Sequence, residues 1–353
     1  MEYVVRVLLL LLLSLPTLPA SAQEYPNRPI TMVVPFSAGG PGDVIARLLG
    51  TSMSATLKQS IVIENTVGAG GTLGTNRVAK AAPDGYTLLL MHVGQATAPA
   101  LYAKLPFDPI GDFAPIGLVT DVPMLLVARA NFPAKDLKEL VAHVRAQGDK
   151  VTYGNVGLGS ASHLCGLMFM SAIDAKLTPV YYKGGGPALN DIIAGHIDVY
   201  CDPATGPTPY IQAGTIPGYA ITSKKRVATL PNVPTSAEAG VPGFDVTTWY
   251  GLYAPRNTPK PIVDALVAAL QKTAQGSAAG QPVCRAQHGA GRGRTRHARS
   301  ARCLPSGRDR QVVTHHQESR YRATVSAGRR QVQLPLCGLP RCEDLSAWRA
   351  SLA

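Results

Sequence analysis

The chain has 353 residues, enough for two domains of ordinary size, with 34 Lys and Arg residues against 22 Asp and Glu residues. The net charge of +12 is uneven, because residues 23–275 hold 19 basic and 17 acidic residues whereas residues 276–353 hold 14 Arg and 4 acidic residues. The basic character therefore belongs to the C-terminal segment, and we expect no nucleic-acid partner for the main part of the chain.

The first 22 residues have the pattern of a secretory signal peptide. Arg6 precedes an apolar run at 7–13, which is followed by Pro16, Pro19 and the small residues ASA at 20–22. The apolar run is far shorter than the ~20 residues of a membrane-spanning helix. We predict cleavage after Ala22 and a periplasmic location.

The next segment alternates short apolar strands with helices. Strands are predicted at 30–34, 61–63 and 87–91, and helices from Asp43 onward and at 72–82. Glycine-rich loops join the first two strands to the helices that follow them. This alternation predicts an open, mostly parallel α/β sheet.

A second α/β unit begins near residue 123. Its predicted strands lie at 124–127, 151–153, 180–182, 197–200 and 219–222, and its predicted helices at 136–146, near His163 and at 187–194. A strand at 249–254 and a helix at 261–273 are expected to return to the first unit. The predicted organisation is a hinged pair of α/β lobes: signal peptide 1–22, first lobe 23–122, second lobe 123–235, return to the first lobe 236–275, and tail 276–353.

Two glycine loops have the design of anion sites. Residues 35–43 (PFSAGGPGD) and 153–163 (YGNVGLGSASH) each join a strand end to a helix start, where free backbone N–H groups favour an anion. One such loop in each lobe would hold a carboxylate from two sides of a cleft. The alternative for the first loop is a plain tight turn with Asp43 as the helix N-cap.

The body of the chain resembles the Bug/TctC family, the extracytoplasmic receptors of tripartite tricarboxylate transporters. The matching stretches run in family order: YPNRPI at 25–30, PFSAGGPGD at 35–43, EN at 64–65 with GAGG at 68–71, APDGYTL at 82–88, YKGGGPA at 182–188, and PT at 234–235 with EAG at 238–240. The resemblance implies a two-lobed periplasmic binding protein of the Venus-flytrap, type II-like kind. It also implies a small carboxylate or amino-acid-like ligand and membrane transporter subunits as partners. We expect a monomer without cofactor, metal or catalytic activity.

Carried over residue by residue, the resemblance implies ligand contacts from both loops and from one strand end. The expected residues are Phe36, Ser37, Ala38, Gly39, Gly40, Asp43, Asn155, Gly157, Gly159, Ser160, His163 and Asp202. Asp202 has the position of an acid that meets a polar or amino group of the ligand, or else caps a turn. Cys201 and the stretch 203–207 depart from the family's usual strand end beside it.

Three other functions are weighed against the receptor. A ligand-dependent partner of a membrane sensor kinase would share the same pocket. A periplasmic hydrolase would use Ser160 with His163, but the loop is not a Gly-x-Ser-x-Gly elbow. A dehydrogenase is disfavoured because residues 68–74 are spaced Gly-x-Gly-x-x-x-Gly rather than Gly-x-Gly-x-x-Gly.

The cysteines and the tail are less informative. The six cysteines fit no zinc pattern, and an oxidising compartment permits disulfides without their spacing fixing a pairing. Residues 276–353 contain no Ile, Phe, Lys, Met or Asn and many Arg. We interpret this segment as the product of a frameshift, the alternative being a disordered basic tail.

Overall fold

The computed structural model describes residues 25–276 and two short strands, Tyr321–Thr324 and Gln333–Leu336, which pair with each other antiparallel. The predicted signal peptide and most of the 276–353 segment lie outside the described residues. The cleavage site and the origin of the tail therefore stay predictions. No helix of the described residues is both long enough and apolar enough to cross a lipid bilayer.

Nine strands lie within residues 25–276: β1 (Ile30–Val34), β2 (Ile61–Asn65), β3 (Thr87–His92), β4 (Phe113–Ala128), β5 (Thr152–Asn155), β6 (Thr178–Tyr181), β7 (Val199–Pro203), β8 (Gly218–Ile221) and β9 (Thr247–Pro255). The same range contains eight α-helices: α1 (Pro41–Leu57), α2 (Thr72–Ala79), α3 (Gly94–Leu101), α4 (Leu137–Gln147), α5 (Ala161–Ala172), α6 (Gly185–Ala194), α7 (Thr208–Gln212) and α8 (Lys260–Gly276).

The strands form two sheets that share β4. In the first lobe the strand order is β2-β1-β3-β9-β4. In the second lobe it is β4-β7-β5-β6, and β8 also pairs with β4. Residues 113–123 of β4 pair with β9, and residues 124–128 pair with β7. The expected two-lobed α/β fold is confirmed. The lobe boundaries at single-residue precision stay a prediction.

The expectation of a mostly parallel sheet is wrong in one respect. Strands joined through helices are parallel, as in the β1/β2, β1/β3, β5/β6 and β5/β7 pairs. Every pair that involves β4 or β9 is antiparallel. These two strands run between the lobes and are antiparallel to the strands they pair with, so each sheet is mixed.

Burial of apolar side chains explains the strand and the helix on either side of the first loop. Ile30, Met32 and Val33 of β1 are fully buried, which is typical of a central strand covered on both faces. In α1, Ile45, Leu49 and Met53 are buried at a spacing of four residues, so one face of the helix packs on the sheet. Strand β1 and helix α1 thereby hold the loop between them at the edge of the lobe.

Candidate functional site

The candidate site lies where loops from the two lobes meet. Residues 35–40 follow β1, residues 156–160 follow β5, and residues 182–184 follow β6. Ligands of open α/β sheets sit at the carboxyl ends of parallel strands, where all three loops lie. The two lobes contact each other through these loops.

An inner cavity of about 20 Å³ lies between the loops. Its lining comes from both lobes and contains no Lys or Arg: Phe36, Ser37, Gly40, Pro41, Gly42, His92, Val156, Ala161, Ser162, Gly185, Asp202, Pro203 and Tyr250. The cavity therefore has no Lys or Arg side chain to neutralise an anion.

Three helix N-termini converge on this cavity. Helix α1 begins at Pro41, α5 at Ala161 and α6 at Gly185, and all three residues line it. The N-cap residues of α1 and α6, Gly40 and Gly184, provide no side-chain hydrogen bond to the first helical N–H groups. Uncapped N–H groups and the positive ends of the helix dipoles favour a negative charge.

Asp202 is the one acidic side chain in the lining. It is 2 % exposed, its Oδ1 accepts a 2.7 Å hydrogen bond from the Tyr200 hydroxyl, and its Oδ2 has no partner among the described atoms. Burial raises the pKa of Asp202 to about 8, and the hydrogen bond from Tyr200 opposes the rise. Ser37 Oγ is also buried without a hydrogen bond. Two polar atoms of the lining are thus free to meet a ligand.

Two aromatic residues in the lining were not predicted from the sequence. His92 is 4 % exposed, stacks on Phe36 with ring centroids 4.7 Å apart, and meets Tyr250 edge-on at 5.8 Å. Its Nδ1 accepts a 2.9 Å hydrogen bond from the Gly94 N–H, which places the ring proton on Nε2. Burial lowers the pKa of His92 to about 4, so the ring is neutral at neutral pH. A single His in an apolar strand does not indicate, from the sequence alone, that it lines a ligand cavity.

The predicted residues of the first loop divide into two groups. Phe36, Ser37 and Gly40 line the inner cavity. Ala38 and Gly39 do not line it but lie against Gly186 of the other lobe. All five were expected to contact the ligand, whereas the structure places Ala38 and Gly39 at the contact between the lobes.

Asp43 also lies away from the cavity lining. Its carboxylate accepts hydrogen bonds from the Gly39 N–H at 3.1 Å and from Arg47 at 2.9 and 3.0 Å. Burial alone would raise the pKa of Asp43, but the hydrogen bonds from Arg47, Gly39 and Asn65 outweigh it and lower the pKa. Asp43 lies inside the first turn of α1, whose N-cap is Gly40, so it holds the loop from within the helix.

The second loop is held in a similar way. Asn155 is 1 % exposed, and its Oδ1 accepts a 3.0 Å hydrogen bond from the Gly157 N–H. Gly157 has a φ of +110°, and a Cβ there would lie 2.8 Å from the Gly70 Cα of the first lobe. Glycine is required because the backbone turns and because the other lobe approaches so closely. Asn155 and Gly159 do not line either cavity.

Ser160 and His163 do not form a nucleophile and base pair. Ser160 is fully buried, and its Oγ accepts a 3.2 Å hydrogen bond from the His163 backbone N–H as the N-cap of α5. The His163 ring nitrogen Nδ1 instead accepts from the Gly159 N–H at 3.3 Å, and burial lowers the pKa of His163. General-base activation of a serine needs a ring nitrogen at the hydroxyl, and here the Ser160 hydroxyl is at the His163 backbone N–H while Nδ1 of the ring accepts from Gly159.

An outer cavity of about 340 Å³ opens beside the inner one. The two cavities share Phe36 and Val156, and the outer lining adds Gly157, Tyr102 and Lys183 among others. Pockets for small metabolites begin near ~300 Å³, so a ligand body of several carbon atoms fits this size.

Direct hydrogen bonds join the lobes at the rim of the outer cavity. The Tyr102 hydroxyl lies 3.1 Å from the Leu158 carbonyl oxygen, and Thr97 Oγ1 donates to the Gly159 carbonyl at 3.1 Å. These contacts show the cleft in a closed form, with the backbone of the second loop resting on the first lobe.

A disulfide lies directly behind the site. Cys165 of α5 and Cys201 of β7 are bonded, and both are fully buried in the core of the second lobe. The spacing of the cysteines did not predict this pairing. Among residues 25–276, no three His, Cys, Asp or Glu side chains are grouped so as to hold a metal ion.

Comparisons with known proteins agree with this architecture. Residues 45–284 match the family model described as "Tripartite tricarboxylate transporter family receptor". A protein of Agrobacterium vitis, named for the TAR-I ttuE-ttuC' intergenic region, is 47% identical over 257 residues, 73% of this chain and 74% of its own length.

Two solved structures are similar over most of the described chain. The periplasmic binding protein BugD is 51% identical with a TM-score of 0.69, and the match covers 70% of this chain and 83% of that one. MatC of Rhodopseudomonas palustris, solved with bound malate, is 44% identical with a TM-score of 0.69, and the match covers 72% and 86%.

The two lobes and the cavity between them define a periplasmic binding protein fold, as the resemblance implied. The family model matches more than half of the chain, and the Agrobacterium vitis relative is 47% identical over 73% of it. The chain belongs to the tripartite tricarboxylate transporter receptor family, whose members are solute-binding receptors.

Proposed function

We propose that the protein captures a small carboxylate metabolite in the periplasm and delivers it to the membrane subunits of a tripartite tricarboxylate-type transporter. The observation that carries this proposal is the convergence of three helix N-termini, two of them without a side-chain cap, on a cavity enclosed by both lobes. Backbone N–H groups in that arrangement recognise an anion without a basic side chain. Malate, bound by the 44% identical MatC, is an anion of the proposed kind.

The proposed role is binding without turnover, by a monomer that carries no cofactor or metal. Support comes from Ser160 and His163, which cap and brace helix α5 instead of pairing as nucleophile and base. The ligand is expected to extend from the inner cavity, where its carboxylate meets Ser37 and Asp202, into the outer cavity.

The test is a thermal-shift screen followed by calorimetry. Malate, adipate, citrate and aspartate are compared with the uncharged diamide of malate. At least one carboxylate should raise the melting temperature and bind with 1:1 stoichiometry, while the diamide should do neither. A protein that binds no carboxylate, or that converts the bound compound, would refute the proposal.

A matched pair of serine variants locates the site. Ser37→Ala removes an unpartnered hydroxyl from the inner cavity and should weaken binding by about 1–3 kcal/mol. Ser223→Ala is the control, because its hydroxyl donates to the Lys225 carbonyl and lines neither cavity. Equal affinity of both variants would place the ligand elsewhere.

A further inference from the structure

Asp202 presents an electrostatic conflict within an anion site. Its Oδ2 is buried, unpartnered and in the lining of the same cavity on which α1, α5 and α6 converge. The lining contains no Lys or Arg that could compensate two negative charges. An ionised Asp202 beside a ligand carboxylate would repel it strongly, because like charges interact most strongly where water is excluded.

The conflict disappears if one of the two carboxyl groups carries a proton. We infer that Asp202 binds the ligand as a neutral carboxylic acid whose Oδ2–H donates a hydrogen bond to a carboxylate oxygen, so that capture of the anion requires one bound proton. This inference rests on the proposed function and specifies its ligand chemistry. It assigns the inner cavity to a carboxylate end of the ligand and excludes an ammonium end.

The groups that face Asp202 are consistent with this role. Tyr200 of β7 donates to Oδ1, Tyr153 of β5 and Tyr250 of β9 lie close enough to interact electrostatically, and His92 of β3 lines the same cavity. Burial raises the pKa of all three tyrosines and lowers that of His92, so these four groups are neutral near pH 7.

The nearest acid on α1 is Asp43, which is paired with Arg47. Asp202 is therefore the group facing the cavity whose protonation changes between about pH 7 and pH 9, in line with its raised pKa of about 8. Its protonated form is the binding-competent state, and the apparent affinity falls with the fraction of that state.

The experiment is calorimetry with malate, or with the tightest carboxylate of the screen, at several pH values from about 6.5 to 9.5. With a pKa of about 8, wild-type affinity should fall about tenfold between pH 7 and pH 9. Measurements in two buffers of different ionisation enthalpy should show proton uptake on binding that rises towards one proton above pH 8.

Asp202→Asn is the matched variant, because an amide keeps a hydrogen-bond donor at this position and does not titrate. Whatever its affinity at pH 7, we expect the variant to bind malate with the same affinity at pH 7 and at pH 9. If the variant does not fold, the pH profile and proton count of the wild type decide the question alone.

Three results would overturn the inference. Wild-type affinity that is independent of pH, with no proton uptake, would show that Asp202 is not a proton donor to the ligand and would leave the proposed function intact. Affinity that rises with pH, together with loss of binding in Asp202→Asn, would show an ionised Asp202 that holds an ammonium group. Failure of every carboxylate at every pH would refute the proposed function itself.

Discussion

The Ser37 backbone N–H donates a 3.2 Å hydrogen bond to the Lys183 carbonyl oxygen and so joins loops of opposite lobes. The glycines that follow Lys183 lie directly on the first loop. A Cβ added to Gly40 would lie 3.1 Å from the Gly185 nitrogen, and one added to Gly186 would overlap the Ala38 carbonyl oxygen. On this side of the cavity the lobes meet backbone to backbone, which only glycine permits.

The Gly186→Ala variant should oppose closure without harming the second lobe. The closest contacts of the added methyl group are with the first loop, where it collides with the Ala38 carbonyl oxygen in the closed form. We expect carboxylate binding to weaken by about 1–3 kcal/mol, the usual cost of overpacking. Calorimetry measures the affinity, and small-angle X-ray scattering should show less compaction on adding ligand than in wild type.

Gly50→Ala is the control for this variant. Gly50 is also helical, and the closest atom to an added Cβ is the flexible end of the Ile63 side chain at 3.3 Å, within the first lobe. It should leave affinity and compaction unchanged. Wild-type behaviour of Gly186→Ala would mean that ligand-bound lobes do not approach as closely as the structure shows.

Asp43 is expected to act on binding through the loop it holds. Asp43→Ala leaves the Gly39 N–H and Arg47 without their acceptor and should weaken carboxylate binding by about 1–3 kcal/mol. Asp43→Asn keeps an oxygen that accepts from the Gly39 N–H, so carboxylate binding should weaken less than in Asp43→Ala. Because the pKa of Asp43 is lowered, its contribution to stability is present above the unfolded pKa and disappears as the pH falls through the folded value. Equal losses in both variants would argue that binding requires the negative charge of Asp43, paired with Arg47, and not the oxygen that accepts from Gly39.

The Cys165–Cys201 disulfide should stabilise the second lobe, which contributes Asp202 to the inner cavity. Its cysteines are 36 residues apart, a loop for which chain entropy predicts about 3–4 kcal/mol. With the four tail cysteines replaced by serine, a reductant should lower the melting temperature of the protein and leave the Cys165→Ala/Cys201→Ala variant unaffected. A melting temperature that no reductant changes would mean that the bond does not form in solution.

Local patterns in the sequence predicted much of the fold, and they failed where tertiary contacts decide the outcome. The strand run 30–34 and the alternation of strands and helices matched the structure closely. In β4 only residues 124–127 were predicted, because Pro115, Gly117 and Pro123 interrupt the pattern. The structure accommodates them with register shifts at 115–117 and 118–120 while the strand continues along β9.

The site was predictable to the extent that it lies on strand-to-helix loops. Ser37, Gly40 and Asp202 were named from the sequence and do line the inner cavity. His92 and Tyr250 were not, because β3 and β9 are far apart in the sequence and become neighbours only through tertiary pairing. His92 and Tyr250 are themselves partners in that pairing, although 158 positions (250 − 92) separate them in the chain. The functions of Asp43 and Asn155 as loop supports could not be predicted either, since the spacing of residues does not show which way a short polar side chain points.

The position of β9 between β3 and β4 sets the order in which the molecule is completed during synthesis. The first lobe is begun early in translation, yet its sheet has a gap at the centre until residues 247–255 have been added. The second lobe, made in between, has all its strands before that moment. Although N-terminal domains commonly fold first, here the lobe that is started first must be finished last.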